Sequence, residues 1–289
     1  MLPVPAAQAT VDVVELWLST KTSPHTRRAY AYEAAGFLAF VSKPLQQVTL
    51  ADIQRWVDRE ESRGLKAASR NRGVTAVKSL LSFAHATGYL AFNPGVAVKL
   101  RPNRDRLAER ILSEEEVVRI IGAVQDPRDR LMLSLLYLSG VRVSELCSLR
   151  WRDLAPRRGG GGQITVFGKG GRTRSILLPE NVWNEMAAVT SGNPDAPVFA
   201  SRKGGGPLDP SQVRRIVYAA AKAAGLPKKV SPHWMRHAHA SHALDRNAPI
   251  HLVQATLGHA SVATTGRYLH ARPSESSSLY LADHTVVKR

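Results

Sequence analysis

The sequence predicts a mainly α protein in two parts: an all-helical region at 1–95 and a mostly helical α+β region with one small sheet at 111–289, joined by a basic linker at 96–110. Three observations predict it. Helix caps and glycine stops punctuate the first part. Two short β-rich runs flank a glycine loop in the second. The stretches after Pro179 read as helix. The length, 289 residues, suits two domains of roughly 100 to 200 residues each.

The elements follow in order. Thr10 opens a helix at 11–19. Ser23 then Pro24 is an N-cap followed by proline at the first helical position, where the missing N–H leaves no bond unmade. That helix carries Tyr30, Phe37, Leu38 and Val41 on one side. Thr49 caps a helix at 50–62 that ends at Gly64. A fourth helix at 67–86 turns Val74, Val77, Leu81 and Ala84 inward and stops at Gly88; Asn93-Pro94-Gly95 then breaks the pattern. The linker sets Lys99, Arg101, Arg104, Arg106 and Arg110 against Asp105 and Glu109, as a solvated connector or as a strap along phosphates.

Ser113-Glu114-Glu115-Glu116 is a capping box that opens a helix through Val124. The apolar run at 128–139 predicts a buried helix stopped by Gly140, and 144–149 adds a turn or two. The glycines at 159–162, after Arg157 and Arg158, form a loop before a strand. The runs at 164–167 and 175–178 flank Gly168-Lys169-Gly170-Gly171 and predict a hairpin or strand pair.

Charge is the unusual part of the composition. Forty Lys and Arg face 23 Asp and Glu, a net charge of +17. Both parts of the chain are positive. Such a balance favours a polyanionic partner, nucleic acid or an anionic membrane. The single cysteine, Cys147, sits in the apolar run 146–149 and reads as a core residue. It excludes a disulfide framework within the chain and all but excludes a Cys-ligated zinc site. No apolar stretch reaches the roughly 18 residues of a membrane span. The first ten residues lack the basic-then-apolar order of a secretory signal. Together these predict a reducing, cytoplasmic compartment.

Several side chains could do chemistry. His233 and Arg236 open the run His233-Trp234-Met235-Arg236-His237-Ala238-His239-Ala240-Ser241-His242, begun by Ser231-Pro232. Three residues apart on a helix, they share a face. An Arg fork beside an imidazole suits a phosphate. His233 and His237 also have a metal-binding spacing, but Trp234 stands where a zinc hydrolase needs its Glu. His237, His239 and His242 read as buried, satisfied histidines. Arg142 follows the Gly140 stop, either as a surface pair with Glu145 or as a phosphate-binding Arg that Glu145 holds. Lys169 on its glycine loop is a flexible phosphate contact or a solvated tip. His259 lies in Leu257-Gly258-His259-Ala260-Ser261, and Tyr268 follows nine residues later.

Taken in order, Arg142, Lys169, His233 with Arg236, His259 and Tyr268 resemble the catalytic set of the tyrosine recombinase family, the phage integrases and Xer-like enzymes. The likeness covers nearly the whole chain, and residues 1–95 resemble the family's SAM-like, core-binding helical domain. Two departures are visible: Gly266 weakens the helix two residues before Tyr268, and Trp234 replaces a small or polar residue.

The resemblance implies a C-shaped clamp on DNA and a site-specific recombinase. Tyr268 would attack a phosphodiester and form a 3′-phosphotyrosyl bond. Arg142, Arg236 and His259 would meet the charge on the phosphate. Lys169 would protonate the leaving 5′-oxygen, and His233 would be the acid/base near the tyrosine. Neither a cofactor nor a metal is required. Arg72, Lys78, Lys99, Arg101, Arg104, Arg172 and Arg174 are expected DNA contacts. The partners implied are double-stranded DNA with short inverted-repeat sites and a homotetramer on two duplexes, or a tetramer shared with a paired, related recombinase, at work at the bacterial nucleoid. No membrane is implied. After Tyr268, Pro273 breaks the helix, and a tail with Leu279, Tyr280 and Leu281 is implied to dock into an adjacent protomer. The chain opens directly on the core-binding helices, which predicts no extra arm-binding domain. A DNA-relaxing topoisomerase and a non-catalytic DNA-binding relative stand as alternatives.

Overall fold

The computed structural model describes residues 6–65, 67–102, 106–168 and 171–271. The chain divides into two compact units, Met1–Arg104 and Asp105–Arg289. Lys169, Arg104 and the tail from Arg272 onward, with Pro273 and 279–289, lie outside the described residues.

Among the described residues the first unit holds four α-helices: α1 (Ala6–Ser19), α2 (Pro24–Val41), α3 (Leu50–Ser62) and α4 (Ala67–Ala86). Local chemistry sets most of their ends. Ser23 Oγ accepts from the Thr26 N–H, and Pro24 opens α2. Thr49 and Asp52 cap each other at α3, each side chain accepting the other's backbone N–H. The start of α1 differs from expectation. Thr10 lies inside the helix, because its buried hydroxyl finds tertiary partners, Tyr89 Oη at 2.9 Å and the Leu45 N–H at 3.4 Å. The preceding Ala6-Ala7-Gln8-Ala9 are good helix formers.

The core of this unit is aromatic and aliphatic: Trp17, Phe37, Trp56, Leu80 and Leu81 are buried. Phe37 meets Trp56 edge-on with centroids 5.3 Å apart. The segment after α4 stays with this unit. Val98 is buried in its core. Lys78 Nζ donates to the carbonyls of Val96 and Val98, and Arg101 pairs with Glu61 at 2.8 Å.

The second unit contains α5 (Glu114–Gly122), α6 (Pro127–Ser139), α7 (Val143–Ser148), β1 (Leu154–Pro156), β2 (Gly162–Phe167), β3 (Thr173–Leu178), α8 (Glu180–Ala188), α9 (Pro210–Ala223), α10 (Pro232–Asp245), α11 (Ile250–Leu257) and α12 (Val262–Ala271). The capping box at α5 forms as expected, Ser113 with Glu116. Gly140 ends α6 in the left-handed conformation, φ 60°. Helix α6 is the centre of the unit. Met132, Leu133, Leu135 and Leu136 have no exposed surface, since α5, α8, α10 and β3 pack around them.

The sheet is antiparallel with order β1-β2-β3, and Ile164 faces Ile176 across the expected hairpin. Strand β1 is an addition: three residues ending in Pro156 carry too little pattern to announce a strand. Strand β2 starts at Gly162 and not within a glycine loop. A Cβ there would lie 2.0 Å from the Trp183 ring, so only glycine fits. A third, smaller cluster gathers Leu107, Ile111, Ala240, Val253, Leu257 and Tyr268. The stretch expected as linker therefore gives Val98 to one core and Leu107 to another. No helix of the described residues is long and apolar enough to cross a membrane.

Candidate active site

Three consecutive carbonyls at the end of α11 organise the site. A helix leaves its last carbonyls without intrahelical partners, and its dipole places partial negative charge there. Here each meets a different arginine. Arg174 Nε donates to Thr256 O at 2.7 Å, Arg236 Nη2 to Leu257 O at 2.6 Å, and Arg142 Nη2 to Gly258 O at 3.3 Å. Gly258 caps the helix with φ 64°, which turns the chain toward His259.

Each arginine is also anchored elsewhere. Arg236, on α10, is buried and donates through Nη1 to Gly140 O at 2.5 Å. Burial, and then the charge of Arg142, lowers its pKa to about 10, so it stays protonated at neutral pH. Its guanidinium has five N–H donors, so donors remain for a ligand. Arg142 precedes α7. Glu145 accepts its backbone N–H and its Nη1, both at 2.8 Å. Glu145 is buried, so this is no surface pair, while a third of the Arg142 side chain stays exposed. Of the two readings of Arg142, the geometry matches the one in which Glu145 holds it. Burial opposes the charge on Glu145, yet Arg174 and the Arg142 N–H outweigh it and hold its carboxyl down at about 2.

Tyr268 projects from α12 and is buried, with 5% exposure. Its hydroxyl lies 2.8 Å from His237 Nδ1. The His259 ring runs parallel to the tyrosine ring, centroids 6.5 Å apart. His259 Nδ1 bonds the buried Thr265 hydroxyl at 2.9 Å, which fixes the ring and leaves Nε2 for a ligand. Burial, then Arg236 and Arg142, lower His259 to about 4. Burial raises the Tyr268 phenol, with Arg236 and Arg267 pulling the other way. His233 stacks on His237 at 6.2 Å. The residue keeps exposed surface, yet partial burial, then Arg236 and Arg142, lower its pKa. Gly266 does not break α12, which runs through it to Ala271; the buried Thr265 and Tyr268 on either side hold the turn by tertiary packing. Trp234 packs against the main core and carries the Lys228 ammonium over its face.

A cavity of about 830 Å³ opens beside these groups, lined among others by Arg142, Arg172, Arg174, Gln254 and His259. Arg172 is exposed there. Arg174, also expected as a DNA contact, lines the same cavity. It is 13% exposed and grips Glu145 with both terminal nitrogens. In the first unit Lys99 is exposed, whereas Arg72 pairs with Glu33, Arg101 with Glu61, and Lys78 holds a loop. His242 is buried and bonded to Tyr137 Oη and Leu112 O, as expected. His237 was expected to be merely buried and satisfied; its partner is the tyrosine hydroxyl. Among the described residues no three His, Cys, Asp or Glu gather where a metal could be held.

Known proteins match this arrangement. The model of the phage integrase family matches residues 110–275, and that of the phage integrase N-terminal SAM-like domain matches 13–88. The chain belongs to the phage integrase family, the tyrosine recombinases. Tyrosine recombinase XerC of Xanthomonas campestris pv. campestris (strain B100) is 33% identical, over 99% of this chain and 92% of its own length. That of Rhodospirillum centenum is 34% identical over 94% and 86%. The crystal structure of XerA recombinase aligns over 97% of this chain and 99% of its own, with 27% identity and a TM-score of 0.52. A lambda integrase tetramer bound to a Holliday junction shares the fold, with a TM-score of 0.74 at 21% identity, over 93% of this chain and 79% of its own. The relatives are named recombinases, which does not favour the topoisomerase alternative.

Proposed function

We propose that this chain is a site-specific DNA recombinase that breaks and rejoins strands through a 3′-phosphotyrosyl bond on Tyr268. The observation that carries the reading is the convergence of Arg236 and Arg142 on the Leu257 and Gly258 carbonyls, next to His259 and within electrostatic reach of Tyr268. In this reading Arg142 and Arg236 meet the charge that builds on the phosphate oxygens, and His259 Nε2 adds a hydrogen bond. Lys169 protonates the leaving 5′-oxygen, and His233 exchanges protons near the tyrosine. The partner strand's 5′-hydroxyl then attacks the phosphotyrosine and reverses the step. The energy of the broken bond stays in the adduct, so no nucleotide is consumed. Two guanidiniums supply the charge that a metal would.

The division of labour follows the family. Residues 1–95 act as the core-binding domain, 96–110 as a basic linker and 111–289 as the catalytic domain, with both parts on duplex DNA. Lys99, Arg101, Arg104, Arg72, Lys78 and Arg172 supply phosphate contacts. The target is a short inverted-repeat site, the active assembly a tetramer on two duplexes, and the place of action the bacterial cytoplasm and nucleoid. Family membership and the shared fold support this assembly.

The test starts by sequencing DNA trapped on the chain in cells. Plasmids carrying none or two of the recovered sites are then treated with the protein. A recombinase excises or joins only between sites. Relaxation of any plasmid identifies a topoisomerase, and binding without strand exchange a non-catalytic relative.

A further inference from the structure

We propose that His237 is a further catalytic residue, the base that takes the phenolic proton of Tyr268 as the tyrosine attacks DNA. The proposal rests on the reading of Tyr268 as nucleophile and deepens it. Its geometry is direct. His237 Nδ1 stands 2.8 Å from Tyr268 Oη, within the reach a general base needs. His233, the acid/base expected from the family resemblance, lies one ring further out, stacked on His237 with centroids 6.2 Å apart. His259 is placed otherwise: its ring lies parallel to the tyrosine ring, and its Nδ1 is taken by Thr265.

The surroundings of His237 fit the role. Helix α10 packs on α12 and presents His237 between Tyr268 and a cavity of about 510 Å³. That cavity is lined by Arg110, Lys229, Ser231, His233, Trp234 and His237, and it gives the accepted proton a route to solvent. Burial, then His233, Arg110, Arg236 and Arg267, lower His237 to about 4, so the imidazole is neutral and its Nδ1 can accept at neutral pH. A phosphate arriving against those cations offsets their field and makes His237 a stronger base in the DNA complex.

The step balances. The bond from Tyr268 Oη to phosphorus forms, and the bond from phosphorus to the 5′-oxygen breaks. The phenolic proton passes to His237 Nδ1. The leaving oxygen takes a proton from the general acid, Lys169 in the reading above. Rejoining runs the same transfers backward, with His237 returning the proton to the phenol oxygen.

The test uses the full chain and a nicked suicide oligonucleotide bearing the recovered site. His237→Asn keeps a polar atom near Nδ1 but cannot take the proton. It should bind DNA as tightly as wild type and form the covalent adduct about a hundredfold more slowly. The defect should persist on a 5′-bridging phosphorothiolate, whose sulfur leaves without a proton. Imidazole added to His237→Ala should restore adduct formation, which a purely structural role would not allow. Wild-type adduct rates in His237→Asn, or full rescue by the phosphorothiolate, overturn the proposal while leaving Tyr268 as nucleophile. An undiminished adduct in Tyr268→Phe overturns the reading of Tyr268 and this proposal with it.

Discussion

Arg174 grips Glu145 with both ends of its guanidinium, Nη1 to Oε1 at 3.0 Å and Nη2 to Oε2 at 2.8 Å, and Glu145 in turn holds Arg142. The pairing reaches from β3, where Arg174 lines the cavity of about 830 Å³, to α7. Through it Arg174 braces Glu145, and with it Arg142, while its Nε holds the Thr256 carbonyl of α11.

Arg174→Ala should therefore destabilise the protein. It leaves a buried carboxylate with Arg142 as its remaining ionic partner, a loss of about 1–3 kcal/mol. Arg174→Lys should recover only part of this, because an ammonium cannot make the planar double contact. Urea denaturation measures both. A variant as stable as wild type that merely binds DNA more weakly would make Arg174 a DNA contact without this structural role.

Gly140→Ala should impair both folding and the site. The residue has φ 60°, and a Cβ would lie 2.7 Å from His239 Cδ2 and 2.9 Å from Leu257 Cδ2. Left-handed strain alone is about 1–3 kcal/mol, and the clash displaces the carbonyl that anchors Arg236. Gly64→Ala is the control, since at φ 68° it meets nothing within 4 Å and pays only the strain. Denaturation midpoints should rank Gly140→Ala clearly below Gly64→Ala. Equal values would contradict the packing described.

Acid should weaken the fold in two stages. His237, His239 and His259 are each lowered from 6.5 to about 4, chiefly by burial. As pH falls the unfolded chain takes these protons first, so stability is lost from about pH 6.5 toward pH 4. Glu145, lowered from 4.5 to about 2, works in the same direction at lower pH. Its stabilising charge is complete above about 4.5 and is lost as pH falls through about 2. Urea midpoints across this range should fall steadily below pH 6.5. A flat profile down to pH 4.5 would show the histidines to be ordinary.

Strand cleavage should survive excess EDTA. In the proposed mechanism Arg142 and Arg236 supply the charge, and among the described residues no cluster offers the oxygen or soft-ligand sets that magnesium or zinc prefers. Loss of adduct under chelation, restored by a divalent ion, would contradict this.

What the sequence made legible was local. Ser113 with Glu116 and Thr49 with Asp52 announce their helices within four residues, because a cap is made by neighbours. Arg142, Arg236, His259 and Tyr268 were legible through order and family resemblance. The contacts that explain them were not. His237 meets Tyr268 across 31 residues and Arg174 meets Glu145 across 29, and such pairs exist only once α10 lies on α12 and β3 beside α7. Thr10 and Gly266 misled for the same reason: a buried hydroxyl and a packed turn overrode the local propensity of each residue.

The central claim is that Tyr268 carries the DNA. Its most direct measurement is peptide mapping by mass spectrometry of the adduct trapped on a suicide substrate, with Tyr268→Phe in parallel. The account predicts a nucleotide phosphate on Tyr268 in the wild-type chain, and no adduct but intact DNA binding in the Phe variant. A phosphate on another residue, or an adduct in Tyr268→Phe, would contradict it.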